Sequence, residues 1–286
     1  MPLLTPIKNL HVLHLLTYLA LTFHPGETTM CYFLGMRVSR SEYVRLKGIE
    51  KELRHLNMIR PCQYGFEYGD WPIVRPTPDR KSFTIDDVHW EFIPPSIRDE
   101  VALANARKSG IPWFAARSEN LFRNEQGNET MWSKAAKDGR CLIPVTHFFE
   151  FRHINRPGRG AESIPYCITL KNRPEIFWIA GISQQWTNHS KNKSADTFAI
   201  VTQPANKLMS QIHNKGKRMP VILNETQAAE WLKKDLSQQR IQELAATSYN
   251  ESDMIAWTVG KDFKTKANPE EPVHYFGIPA LDYGLN

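Results

Sequence analysis

A cysteine, Cys31, follows Met30 directly in the stretch TTMCYFLGM, and the pair forms a plausible initiation site thirty residues into a 286-residue chain. Loss of Met30 would leave Cys31 N-terminal, with an amine and a thiol on adjacent carbons. A free α-amine titrates near ~7.7–8.0 and a thiol near ~8.5, against ~10.4 for lysine. Near neutral pH both groups therefore offer a usable deprotonated fraction, which lysine does not. Such an amine condenses with an aldehyde to a Schiff base; the thiol then adds to the imine and closes a five-membered thiazolidine with the usual intramolecular advantage. An internal Cys31 keeps the thiol and loses the amine. The same letters also read as a buried strand thiol behind an arbitrary methionine.

Four further stretches could carry chemistry. Glu150 in HFFEF alternates with Phe149 and Phe151 in a strand-like run, so its carboxylate faces away from both rings. In an apolar cleft it would be a proton donor or acceptor; on a solvated face it is an ordinary surface glutamate. In SQIHNKGKRMPVIL, His213 could shuttle protons near neutral pH and Arg218 could grip a phosphate with its planar fork, or the pair is a core histidine and a solvent arginine. Arg117 in WFAARSEN lies near Trp113, with Glu119 two residues on. That pattern suits single-stranded nucleic acid and equally suits a structural Arg–Glu pair. Trp90 in HWEFIPP is a stacking platform or a core residue.

The elements that must hold these residues are mixed. VSRSEYVRLKGIEKELRHL offers Ser39 and Ser41 as caps and a helical apolar period through Leu56. A strand is expected around Ser82–Phe92, a helix over DEVALANARKSG ending at Gly110, and two short strands around Pro144. IPYCITL, EIFWIAGIS and DTFAIVTQ have the composition of buried strands. NETQAAEWLKKDLSQQRIQELAA reads as one helix capped by Asn224 or Thr226, and the C-terminal tail as loop. Strands and helices do not alternate, which argues against a doubly wound sheet. The fold class is α+β, with a curved, largely antiparallel sheet flanked by helices.

Composition bounds the function. With 41% hydrophobic and 23% charged residues the chain is ordinary globular material, and a net charge of +6 leans only weakly towards anionic partners. The four cysteines are scattered without a CxxC pair, so a structural zinc is not expected and reduced thiols in a cytoplasm are. LHVLHLLTYLALTF, behind Lys8, resembles a signal-peptide core but is too short and too rich in His and Thr for a membrane span. Residues 1–30 are an export signal, a removable leader, or sequence outside the working protein.

The order of these motifs carries more than any one of them. MC at a start, W-x-x-I-P, AARSE, RCLIP, FFE, then IH followed by RMPVIL, resembles the ordered signature of the SOS response-associated peptidase (SRAP) family over Met30 to about Leu223. The resemblance implies a sensor of abasic sites in single-stranded DNA, a DNA-damage function, which crosslinks to the open-chain aldehyde through an N-terminal cysteine. It implies that Cys31 is the crosslinking residue, that Glu150 assists Schiff-base chemistry and reversal, and that His213 positions or protonates the sugar hydroxyl. It makes Arg117 and Arg218 phosphate contacts and places Trp90 beside the DNA path. It divides the chain into residues 1–30 and a single SRAP-like domain, 31–286, with core motifs in 31–223 and a C-terminal helix and tail in 224–286. The expected enzyme type is a covalent, lyase-like DNA crosslinker with possible autopeptidase activity. It is expected to be a cytoplasmic, nucleoid-associated monomer without cofactor, metal or membrane partner.

Three departures stand out. Family members usually have Asn where this chain has Ala115, with Asn105 or Asn120 as conceivable substitutes. They commonly read C-G-R where this chain has Tyr32 and Phe33, and NKGK separates His213 from Arg218 where they often have a single residue. Two other functions stay open: a non-covalent single-stranded DNA binder, suggested by Ala115, and a cysteine autopeptidase whose Cys31 cleaves its own leader.

Overall fold

The computed structural model describes residues 33–38, 43–46, 49–52, 59–79, 81–110, 112–156, 158, 160–172 and 176–283. Cys31, the segment 1–30 and the proposed caps Ser39 and Ser41 lie outside them. In chain order the elements are β1 (Phe33–Arg37), β2 (Tyr43–Leu46), β3 (Ile49–Glu52), β4 (Ile59–Tyr64), β5 (Asp70–Pro76), β6 (Phe83–Trp90), α1 (Glu100–Lys108) and β7 (Ala115–Arg117). There follow α2 (Ser133–Asp138), β8 (Arg140–Val145), β9 (His147–Arg156), β10 (Gly160–Leu170), β11 (Phe177–Asn188) and β12 (Lys193–Pro204). The last are α3 (Lys207–Ile212), β13 (Arg218–Pro220), β14 (Ile222–Leu223), α4 (Glu225–Trp231), α5 (Gln238–Ala245) and β15 (Met254–Thr258).

The fold is mixed, mostly sheet with few helices. One sheet runs β15-β10-β9-β1-β4, all antiparallel. The other corrects the expectation of a merely curved sheet: β12, β6, β5, β8 and β11 pair in turn, and β11 pairs back onto β12, closing a five-stranded ring. Closure removes the exposed sheet edges. Two of its contacts, β6–β12 and β7–β12, are parallel.

The strands form where β-branched and aromatic residues cluster. Residues Phe177–Ser183 are all buried, as expected of a strand covered on both faces. The two strands expected around Pro144 are β8 and the longer β9; Pro144 itself lies within β8, and the break falls at Thr146. The helix expected from Ser39 onward is instead the antiparallel pair β2–β3. Only Lys47 and Gly48 separate those strands, a hairpin length, and glycine inside a helix costs roughly 1 kcal/mol.

Helix α1 starts where Asp99 accepts from the Ala102 N–H at 2.8 Å and stops before Gly110, whose φ is +77°. The single long helix expected after Asn224 is two. Asn224 does cap the first, in a reciprocal box with Gln227 at 2.9 and 3.0 Å. Ser237 restarts the chain as α5, accepting from the Arg240 N–H at 3.1 Å. Three buried indoles tie the core to backbone carbonyls: Trp71 to Pro144, Trp90 to Phe114 and Trp231 to Cys141, at 3.1, 3.1 and 3.0 Å.

Candidate active site

Strand β9 lies at the centre of the five-stranded sheet and sorts its side chains by face. Phe33 pairs with Phe149 across β1–β9. Phe33, Phe149 and Phe151 meet Phe263 on one side, with centroids at 5.5, 4.6 and 5.9 Å. Glu150 points to the other side, in one row with Tyr166 of β10, its direct partner, and Thr258 of β15, which pairs in turn with Tyr166.

On that face Glu150 meets His213, which ends α3. Glu150 Oε2 and His213 Nε2 are 4.0 Å apart, and the residues are 4% and 3% exposed. This distance is too long for a hydrogen bond, and the pair lies away from water. The ring orientation is fixed from behind. His213 Nδ1 lies 2.9 Å from the Arg218 carbonyl oxygen and 3.3 Å from the Arg218 N–H; the shorter contact is to a group that can only accept, which favours the tautomer with the proton on Nδ1 and Nε2 facing Glu150.

The basic insert NKGK does not separate His213 from Arg218 in space. The Lys217 N–H donates to the His213 carbonyl at 2.7 Å, with Lys217 at φ +48°, and the insert closes as one tight turn. Asn214 clasps β9 like a short strand: His153 N–H donates to its Oδ1 at 2.9 Å and its Nδ2 donates to the His153 carbonyl at 2.6 Å. Neither contact has a local sequence signal, because the partners lie 61 residues apart.

Two residues expected at the DNA path are placed otherwise. Trp90 is fully buried, stacked on Phe198 at 6.1 Å and 13°, and presents no face to a base; its burial follows from β6 forming the ring wall. Arg218 is also buried. Its guanidinium is taken by Glu119, through Nη1–Oε1 and a second bond at 3.0 Å, and by the Thr202 carbonyl at 2.8 Å. Burial pushes the Glu119 carboxyl up, but the Arg218 hydrogen bonds outweigh it and hold the group below its ordinary range. The Arg–Glu pair thus joins Glu119 to Arg218, not to Arg117. Arg117 is exposed on β7 and remains able to meet a phosphate. Ala115 is buried, paired with Ile200, whereas Asn105 lies exposed on α1 and Asn120 ends a 3-10 turn after Arg117.

The described thiols are poor nucleophiles. Burial pushes Cys62 and Cys141 up to about 12 and raises Cys167 well above the ordinary thiol range. Among the described residues no group of three or more His, Cys, Asp or Glu is placed to hold a metal ion, and no helix is long and apolar enough to cross a membrane.

Abasic site processing protein YoqW of Bacillus subtilis (strain 168) is 31% identical over 182 residues, 63% of this chain and 71% of YoqW. Abasic site processing protein YoaM of the same organism is 30% identical over 182 residues, 63% and 70% of the two chains. A crystal structure of a protein from Bacteroides thetaiotaomicron superposes with a TM-score of 0.67 at 26% identity, covering 85% of this chain and 97% of that one. Residues 49–265 match the family of SOS response associated peptidases (SRAP), and the chain belongs to that family.

Proposed function

We propose that this protein senses abasic sites in single-stranded DNA and traps them covalently through Cys31 as its N-terminal residue. The observation that carries the reading is the buried Glu150–His213 pair beside β1. Phe33, two residues after Cys31, pairs with Phe149, the neighbour of Glu150. Two Cα–Cα steps of ~3.8 Å bound the separation of the Cys31 and Phe33 Cα atoms at about 7.6 Å, which supports a reacting terminus near the acid–base pair.

The chemistry balances without a cofactor. The α-amine of Cys31 adds to the aldehyde carbon of the opened sugar, and the carbinolamine loses water to give the imine. The thiol adds to the imine carbon, its proton passing to the nitrogen, and the thiazolidine closes with one water released overall. In this scheme Glu150 moves the protons of addition and dehydration, His213 Nε2 holds or protonates the sugar hydroxyl, and exposed Arg117 meets a backbone phosphate. Family membership and relatives named as abasic site processing proteins support the reading.

Intact-mass analysis of native protein mixed with an oligonucleotide carrying one abasic site tests it. The expected result is a chain starting at Cys31 and a denaturation-resistant adduct equal to the two masses less one water, absent in Cys31→Ser and wherever residue 30 is retained. A Cys31→Ser protein that forms the same adduct refutes it. The buried Ala115, at a position where members usually carry Asn, favours a second reading: a binder without covalent chemistry, distinguished by salt-sensitive binding and no adduct.

A further inference from the structure

Residues 266–283 lie beyond the part of the chain that matches the family, yet the tail is fastened at each step of its path. It first runs along β15. Val273 N–H donates to the Thr258 carbonyl at 2.9 Å, and the Tyr275 hydroxyl donates to the Val259 carbonyl at 2.9 Å. After Gly277, at φ +73°, it crosses the sheet on the face that carries Glu150. There the Pro279 carbonyl accepts from Arg152 Nη1 at 2.6 Å; Arg152 is buried on β9, two residues from Glu150.

The tail then reaches α3. Gln211 Nε2 donates to the Asp282 carbonyl at 2.8 Å, the Asp282 N–H donates back to Gln211 Oε1 at 2.9 Å, and Lys207 Nζ lies 2.8 Å from the Asp282 carboxylate. Tyr283 returns to β15, its hydroxyl donating to the Ala256 carbonyl at 3.1 Å.

Helix α3 has six residues, too few to hold itself in water, and the residue that ends it is His213. Its first turn is capped by Asn206, which accepts from the Met209 N–H at 2.9 Å. The loop after it is clasped to β9 by Asn214. Its outer side is held by the tail.

We propose that Ile278–Tyr283 is a positioning strap, which seats α3 against β9 and so keeps His213 Nε2 opposite Glu150. Gln211 is its principal attachment and acts through His213, without touching the substrate. A displacement of about 1 Å at such a site is enough to slow a reaction ~100-fold, so a loosened α3 lowers reactivity well before the fold is lost.

The test uses the full chain with Gln211→Ala or Asp282→Pro, each of which removes contacts between strap and helix, and Gln211→Glu, which keeps only the acceptor. The first readout is NMR of the His213 Nδ1–H that bonds to the Arg218 carbonyl, with the indole N–H signals of Trp71, Trp90 and Trp231 as reporters of the core. The second is the rate of adduct formation with an abasic oligonucleotide, which rests on the function proposed above; the first does not. Gln211→Ala and Asp282→Pro are expected to speed His213 Nδ1–H exchange with water at least three-fold and to slow adduct formation at least three-fold. The indole signals should stay in place, and Gln211→Glu should lose less. Wild-type exchange in Gln211→Ala and Asp282→Pro overturns the proposal, as does a change in which indole and His213 signals weaken together, since that marks general destabilisation. If the unsubstituted protein forms no adduct, the proposed function fails while the exchange measurement still decides on the strap.

Discussion

Replacing Arg218 by Met separates a structural arginine from a DNA contact. Methionine fills most of the buried stem volume but donates nothing to Glu119 or to the Thr202 carbonyl, which the guanidinium reaches at 2.8 Å. Thr202 is fully buried, so its carbonyl loses a donor that water replaces poorly, a loss of ~1–3 kcal/mol. Removing one partner of a buried ion pair costs ~3–5 kcal/mol. Here the lower end applies, because the Glu119 side chain is 44% exposed and rehydrates. A total of ~4 kcal/mol, ~3 from the ion pair and ~1 from the carbonyl, corresponds to a fall in Tm of ~8–16 °C at ~2–4 °C per kcal/mol. Adding Glu119→Gln should recover part of the loss, since no uncompensated carboxylate remains.

The matching measurement is salt-dependent binding to undamaged single-stranded DNA, run well below the unfolding transition. Arg218→Met should leave the slope of log K against log salt unchanged. Arg117→Met, at an exposed position, should keep Tm nearly constant and reduce the slope by ~0.7, the value for one lost phosphate contact. Scanning calorimetry and a fluorescence titration at four salt concentrations suffice. If Arg218→Met melts within ~2 °C of wild type and lowers the slope, the guanidinium reaches phosphate and its structural assignment here is wrong.

Glu150→Gln preserves shape and removes the ionisable carboxyl; adduct formation should slow by ~100-fold or more, within the range for a lost general acid–base, with Tm little changed, as quenched time courses will show. Burial lowers the affinity of His147 for protons, a tendency its bond to the Pro61 carbonyl at 2.8 Å only partly offsets. With the folded pKa depressed, its contribution is present above the unfolded value of ~6.5 and lost as pH falls through the folded one. Urea midpoints should therefore drop between pH 7.5 and 5.5, and drop less in His147→Asn. Arg140 is buried and donates to the carbonyls of Trp231 and Ala136 at 2.8 and 2.6 Å, near the ends of α4 and α2. Arg140→Met should cost ~3 kcal/mol through orphaned carbonyls, read as a lower urea midpoint; an unchanged midpoint would contradict the assignment.

What could be read from the sequence follows the range of the interaction responsible. Strand composition marked β6 and β10–β12, and the Asn224 cap marked the start of α4, because these signals lie within a few residues of their effects. The motif order brought Glu150 and His213 together although 63 positions separate them. Ring closure left no such mark: the pairing of β11 with β12 is local, but the contacts that complete the ring, β6 with β12 and β5 with β8, join segments far apart in the chain. The same holds for Arg218. Alone it reads as an available cation, and only the fold brings Glu119, 99 residues earlier, beneath it. Trp90 illustrates the cost of reading a motif by its residue type, since an indole suits a base or a core equally well and the ring wall decides. The NKGK insert is the most instructive case. In sequence it separates histidine from arginine, yet its turn is closed by the His213 carbonyl itself and anchored by Asn214, the first residue of the insert. Added length at this point is absorbed locally, so the geometry of Nδ1 against the Arg218 carbonyl does not depend on a short spacer but on where α3 is seated.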